Sequence, residues 1–324
     1  MQALVLGGYG AVGQHVVNQL RARGTVAHVA GRDPRRADHV VDLAHPRALT
    51  ALLSDVDVVV NCSGVEDPAL VARITSHGVA LVDITATARY VEALERLDLP
   101  QPVVLSVGLA PGLTNLLAAS VRADAPAAAG IDIGIVLGAG EHHGTAGVAW
   151  TFDLLGGRFD DPATGGAIRN FTHPRRFELP ALGRRRLYRA DFSDQHTLTR
   201  DLGVPVRTYF GLDSRVATTA LAALTWIPGA SHVPGGLRTP GGDGWVVLAQ
   251  RRDGPFRWAT GRGQSRATAI IATEATLAAP HLTPGVHHLH DILTVADLPP
   301  DAAIALSSSA DGPIAAPTSS GVIE

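Results

Sequence analysis

Three glycines, Gly8, Gly10 and Gly13, follow the short apolar run Ala3–Leu6 in the spacing Gly-x-Gly-x-x-Gly and lead into a helix-like stretch. A strand, a glycine turn and a helix in that order cradle a pyrophosphate: the first glycine makes the turn, the second lets backbone approach the ligand, and the third lets helix and strand pack closely. The unpaired N–H groups at the helix start favour an anion. Gly7 makes the spacing Gly7-x-x-Gly10-x-x-Gly13 equally readable, so the subclass of dinucleotide fold stays open. Tyr9, Ala11 and Val12 complete the loop and are expected beside the cofactor. The next apolar run, Thr25–Ala30, ends in Gly31-Arg32-Asp33. At that distance from the glycines an acid binds the ribose 2′-hydroxyl of NAD, whereas an arginine accommodates the 2′-phosphate of NADP. Arg32 holds the selective place, Gly31 leaves room, and Arg35 and Arg36 add charge, so NADP is expected over NAD, although Asp33 could turn toward the ribose.

Hydride transfer asks the protein for alignment and for a proton. Glu141-His142-His143 directly follows the apolar run Ile131–Gly138, and imidazole titrates near neutral pH, so His142 and His143 are the expected general acids. No companion His/Cys spacing accompanies them, and no metal is expected. The cluster His287-His288-x-His290 reads as structural, and Arg175, Arg176 and Arg184 to Arg186 read as one solvated strand face rather than a carboxylate fork. Cys62, the single cysteine, closes an apolar run and is expected to be a small packed residue.

The elements that position these groups alternate along the first 110 residues: six short apolar runs separated by stretches with helical spacing. Such runs suit a parallel sheet covered on both faces, with ligands outside the carboxyl ends of the strands. Those ends carry Asp42 near a bound adenine, then Asn61, Ser63 and Gly64, then Asp83 and Thr85, and finally Gly108, Pro111 and Gly112 in the loop Ser106–Asn115. The second half changes character. Its runs at 131–137, 175–179, 185–191, 204–212, 244–251 and 256–260 mix apolar with polar positions, which predicts a mostly antiparallel sheet with one exposed face. Helices are predicted at 147–155, 214–226 and 264–278. The expected fold class is α/β: a doubly wound Rossmann domain over 1–125, an α+β domain over 126–300 whose last helix packs back on the first domain, and a loose tail over 301–324.

Gly-Gly-Tyr-Gly-Ala-Val-Gly at the start, Asn61-Cys62-Ser63-Gly64, Val82-Asp83-Ile84-Thr85 and Gly108-x-x-Pro111-Gly112-Leu113-Thr114-Asn115 together make the first 120 residues resemble the saccharopine dehydrogenase-like reductases. The segment Thr273-Glu274-Ala275-Thr276 with Pro284-Gly285-Val286 is similar to that family's closing part. The resemblance implies NAD(P)-linked hydride transfer to imines or activated carbon–carbon double bonds, a substrate pocket in a second domain that often dimerises, cofactor-binding roles for Gly8, Gly10, Gly13 and Gly112, and a catalytic role for Asp83. Family chemistry that needs lysine does not transfer, because all 27 basic residues are arginines. The same absence removes Schiff-base chemistry, the phosphate-loop lysine and the Tyr-x-x-x-Lys pair of classical short-chain dehydrogenases. Two rival readings keep the cofactor: an isomerase or cyclase whose hydride returns, and a non-catalytic NADP-sensing protein.

A net charge of −3 over 324 residues, 46% hydrophobic and 18% charged, argues for a small-molecule substrate and against nucleic acid or a membrane surface as partner. One cysteine, no long apolar run and no leader segment make a cytoplasmic location the expectation.

Overall fold

The computed structural model describes residues 1–308 except 46, 86, 125, 127–128, 141–150, 181, 231–240, 252–253, 255 and 301–303. Two seven-stranded sheets organise it. The first comprises β1 (Gln2–Leu6), β2 (Val26–Gly31), β3 (His39–Val40), β4 (Val58–Asn61), β5 (Ala80–Asp83), β6 (Pro102–Leu105) and a late strand, β15 (Gly285–His288), in the order β15-β6-β5-β4-β1-β2-β3. Every pairing in it is parallel. The runs Val58–Asn61, Ala80–Asp83 and Pro102–Leu105 are buried at every position, as a sheet covered on both faces requires. Helices α1 (Gly13–Ala22), α2 (Arg47–Leu52), α3 (Pro68–Ser76) and α4 (Ala88–Glu95) make the crossovers, and α5 (Thr114–Asp124) leads from β6 into the second sheet. Chain order reverses between β1 and β4, the crevice where a doubly wound sheet takes its ligand.

The second sheet runs β10 (Thr172–Leu179), β11 (Gly183–Arg189), β12 (Val206–Leu212), β7 (Ile131–Leu137), β13 (Gly244–Arg251), β14 (Phe256–Arg262) and β16 (Ala305–Ser308). Only β12 and β7 pair in parallel. A hairpin, β8 (Arg158–Asp160) and β9 (Ala167–Arg169), and helices α6 (Ser193–Leu202), α7 (Arg215–Leu224), α8 (Gln264–Ala278) and α9 (Leu289–Ile292) complete this half.

Four expectations are revised. The first sheet has seven strands, because residues 285–288 return from the second half and pair with β6; four residues that follow Pro284, two of them histidines, carry little strand signal. The second sheet is not exposed on one face: Val136, Phe177, Leu187, Tyr209, Val246, Leu248 and Trp258 form a buried cluster on one side, while Ile131, Ile133, Ile135, Trp245 and Val247 join the main core. Its central strands β7 and β13 are near-continuous apolar runs, and buried and exposed positions alternate clearly only at the end of β10, over Phe177–Leu179. Within the span expected as a loose tail, Ala305–Ser308 form a strand paired with β14. Helix α6 has no counterpart in the sequence reading. It is strongly polar, but Ser193, Asp194, Gln195 and Thr197 are buried, so its fixed position comes from partners distant in the chain.

Helix α8 packs against α1, and Arg23 pairs with Glu274 across them at 2.5 Å. Of the helix expected at 147–155, residues 147–150 lie outside the described residues, and 151–153 are helical. Among the described residues, no helix is long and apolar enough to cross a membrane.

Candidate functional site

The glycine turn closes against the exits of its neighbours. A Cβ on Gly13 would stand 2.3 Å from the Gly7 carbonyl oxygen and 2.8 Å from Gly8 Cα, so α1 begins in contact with the loop it follows. Gly7 has φ +70°, and a Cβ there would meet the Cys62 carbonyl oxygen at 2.8 Å and Ser63 Cα at 2.9 Å. The turn therefore seats on the exit of β4, at the reversal of strand order. Gly10 N–H donates to the Gly7 carbonyl at 2.8 Å. Helix α1 has no side-chain cap and no acid in its first turn, which leaves its N–H groups for an anionic ligand.

Tyr9 joins this cradle to the end of β2. Its hydroxyl accepts from the backbone N–H of Arg32 at 2.9 Å and of Asp33 at 3.1 Å. The Arg36 guanidinium lies 4.5 Å over its ring and donates to its carbonyl at 2.8 Å. Gly31 leaves room for this tyrosine, since a Cβ there would meet the ring at 2.4 Å. Asp33 is engaged by its neighbour: its carboxylate accepts from Arg35 Nε at 3.2 Å and Arg35 N–H at 3.0 Å, and those bonds hold it below the usual carboxylate range. Arg32 is exposed. Asp42 is engaged locally, accepting from Ala44 N–H at 3.1 Å and lying 3.2 Å from His45 Nδ1.

At the exits of β4 and β5 the polar groups point inward. Asp83 is fully buried; one carboxylate oxygen accepts from Thr85 N–H at 2.8 Å, the other from Asn61 Nδ2 at 2.9 Å and the Tyr90 hydroxyl at 3.0 Å. Burial pushes its carboxyl up despite these bonds. Asn61 Oδ1 accepts from Ser63 N–H and Oγ, and Asn61 Nδ2 also donates to the Val65 carbonyl, which fixes the Ser63-Gly64 turn. Burial, then the Asp83 charge, push the Cys62 thiol up, in keeping with a packed residue.

The loop after β6 is held from several sides. Ser106 takes the left-handed conformation with φ +57°. Leu109 N–H donates to Thr268 Oγ1 of α8 at 3.2 Å, Gly112 N–H to Asn115 Oδ1 at 2.9 Å, and Thr114 Oγ1 to Asp194 of α6 at 3.0 Å. A groove of about 340 Å³ runs between α4 and α6, lined by Ala88, Val91, Glu95, His196 and Arg200 among others. His196 Nε2 donates to Asp191 at 2.7 Å there, a pair the sequence reading did not find. A larger cleft of about 550 Å³ lies by Gln2, His28, His39 and Asp57, at the amino end of β1 and away from the strand exits.

At the far end of the groove Arg200 lies 2.7 Å from both Glu95 and Asp201. Burial raises the Glu95 carboxyl, but bonds from His288 and Arg200 outweigh it and hold it low. For Asp201 the same opposition, with His290 and Arg200 as donors, ends at about 2. Both native values lie below ordinary carboxylate values of about 4, so this stabilisation is present above pH ~4 and is lost as pH falls toward the native values. Arg200→Gln is expected to move the acid-unfolding midpoint upward by a few tenths of a pH unit, read by circular dichroism against pH. An unchanged midpoint would show that the arginine adds nothing in acid.

Asp201, His290 and Asp291 also bring ligand atoms within 4.8 Å of one another. Arg200 Nε already sits on Asp201, and a cation in that position opposes a metal ion. The solvated reading of the arginine run holds for Arg184, which faces Glu178 at 3.6 Å on the exposed hairpin, whereas Arg175 pairs with the buried Asp132. His142 and His143 lie outside the described residues.

A family model described as the NAD dependent epimerase/dehydratase family matches residues 3–110. No curated protein matches the chain. Among solved structures, the chain is similar to C. glutamicum DAP dehydrogenase in complex with DAP, at 15% identity and TM-score 0.51, covering 93% of this chain and 96% of that one. An engineered D-amino acid dehydrogenase bound to NADP+ follows at 15% identity and TM-score 0.49, with the same coverage. An amine dehydrogenase from Mycobacterium smegmatis stands at 12% identity and TM-score 0.47, covering 91% and 96%. At these identities the likeness concerns the fold alone.

Proposed function

We propose that this chain is an NADP-dependent oxidoreductase that transfers a hydride between the nicotinamide and a small organic substrate, an imine or an activated carbon–carbon double bond. The observation that carries the cofactor reading is the corner built by Tyr9. It ties the glycine cradle to the end of β2, leaves Arg32 exposed there, and leaves the Asp33 carboxylate on Arg35. A 2′-phosphate meets arginines in that corner, and the acid that a bare 2′-hydroxyl would need is engaged by Arg35. The family model over residues 3–110 supports a nicotinamide dinucleotide, and the four motifs similar to saccharopine dehydrogenase-like reductases support the substrate class.

When bound, the cofactor supplies the hydride, and this chain supplies the rest. Gly8, Tyr9, Gly10, Ala11, Val12 and Gly13 would hold the pyrophosphate, Arg32 the 2′-phosphate, and Asp42 the adenine side. Ser63, Gly64, Thr85, Gly108, Pro111 and Gly112 would line the nicotinamide side. Asp83 acts from beneath, keeping the exits of β4 and β5 together through Asn61, Thr85 and Tyr90. The proton would come from the loop carrying His142 and His143, with His196 and its Asp191 partner the described imidazole in the cleft between the two halves.

Arg32→Ala is expected to weaken NADPH binding by about 10–100-fold, the worth of a charge-assisted phosphate contact, with NADH binding changed less than about twofold. Paired fluorescence titrations read both constants. Equal loss for the two cofactors would remove Arg32 from the 2′-phosphate, and failure of the wild-type chain to bind either would remove the reading itself.

A further inference from the structure

Two hydrogen-bonded lines leave Arg200 of α6 and end on the Ser106–Asn115 loop. In one, Arg200 donates to Glu95 at 2.7 Å, Glu95 accepts from His288 Nε2 at 2.9 Å, and His288 Nδ1 lies 3.0 Å from Ser106 Oγ. A carboxylate only accepts, so Nε2 carries a proton toward Glu95 and Nδ1 is left to share a hydrogen bond with the Ser106 hydroxyl. In the other, Arg200 donates to Asp201 at 2.7 Å, Asp201 accepts from His290 Nε2 at 3.2 Å, and His290 Nδ1 accepts from Asn115 Nδ2 at 3.5 Å. Asn115 Oδ1 then accepts the Gly112 N–H at 2.9 Å. The two imidazoles stack with centroids 5.8 Å apart and an interplanar angle of 26°.

The members come from α4, α5, α6, the exit of β6 and the β15–α9 turn, so the network bridges both halves of the molecule. Each line grips one end of a loop whose backbone is unusual at the gripped point: Ser106 has φ +57° and Gly112 has φ +137°. A non-glycine residue in the left-handed region is strained and persists only where its surroundings hold it. Serine, imidazole and carboxylate in sequence also resemble a nucleophile relay, but Ser106 is 0% exposed, so its Oγ meets no substrate.

We propose that His288 and His290 are paired positioning residues that transmit the seating of α6, through Arg200, to the loop carrying Gly108, Pro111 and Gly112. The proposal rests on the reading above in placing that loop beside the nicotinamide. The imidazoles do no chemistry on a ligand. They set the backbone on which a ligand would rest, and the loop holds its shape only while both halves are docked.

The test uses the full chain with NADPH as probe. Hydrogen exchange followed by mass spectrometry reads residues 106–115 and, as an internal reference, residues 7–13, in wild type, His288→Ala, His290→Ala and Arg200→Gln. Exchange over 106–115 is expected to rise about tenfold in each variant, the loss of about one hydrogen bond, with the glycine cradle unchanged. NADPH affinity is expected to fall by a similar factor. His290→Gln, which presents an amide toward Asp201, is expected to recover part of the protection. A rise of equal size over 7–13 would assign the histidines a merely structural role, and no rise over 106–115 would overturn the proposal. Arg200→Gln keeps the test decisive should an alanine variant not fold, because it acts from the exposed end of both lines. A wild-type chain that fails to bind NADPH defeats the cofactor reading, while the exchange comparison still decides the proposal.

Discussion

Gly13→Val is expected to abolish measurable NADPH binding, a loss of more than about a hundredfold, the equivalent of ~3 kcal/mol of overpacking. Its Cβ would begin 2.3 Å from the Gly7 carbonyl oxygen and 2.8 Å from Gly8 Cα, both backbone atoms that no rotamer can move aside. The turn must open or α1 must lift, and either change withdraws the helix N–H groups from the pyrophosphate. Gly24→Ala is the control. It also replaces a glycine beside α1, at φ +78°, but has nothing within 4 Å, so it should cost about 1 kcal/mol of stability and leave affinity intact. Titration with NADPH and thermal unfolding of both variants separate steric closure of the cradle from general damage. Equal affinity loss in the two would refute the steric argument.

The largest effect on stability is expected from Asp161→Ala. Asp161 lies 3.4 Å from Arg189 NH1 and 3.5 Å from Arg207 Nε, and its other oxygen accepts the Ala163 N–H at 3.1 Å. Arg189 is only 2% exposed, stacks over Phe159 and Tyr209, and donates to Gln195 at 2.8 Å. Removing the carboxylate leaves two guanidinium groups without their shared counter-charge, which costs about 3–5 kcal/mol. The melting temperature should fall by roughly 10 °C. Adding Arg189→Met should return a good part of the loss, because an apolar side chain in place of an unpaired buried charge removes the penalty. If the double variant melts below the single one, the packing of Arg189 on the two rings matters more than its charge.

The first half of the fold was largely legible because its physics is local. A parallel strand covered on both faces is a continuous apolar run, and a phosphate cradle is a glycine spacing within a few residues. β1, β2, β4, β5 and β6 therefore stood in the sequence, as did α8 over 264–278. The second half was legible as strands and illegible as a sheet. Nothing within Ile131–Leu137 says that it will lie between β12 and β13, or that its second face will be buried by Phe177, Leu187 and Trp258. Polar helices are the hardest case. Ser193–Leu202 has no apolar stripe to announce it, because its buried polar groups bond outside the helix: Asp194 to Thr208 and to Thr114, 80 residues away, and Gln195 to Arg189.

The candidate site divides in the same way. The sequence by itself determined the cradle, the arginine after β2 and the exclusion of lysine chemistry, since each depends on residue type and short spacing. Only the tertiary structure decided what Tyr9 does: it fills the space Gly31 leaves, bonds to Arg32 and Asp33, and carries Arg36 on its ring. Only the tertiary structure joined Glu95, His288 and Ser106 across separations of 193 and 182 residues. Composition and spacing record what a segment can do alone. A hydrogen bond between groups so far apart depends on loop closure and packing of the whole chain, and these leave no trace in the neighbourhood of either residue.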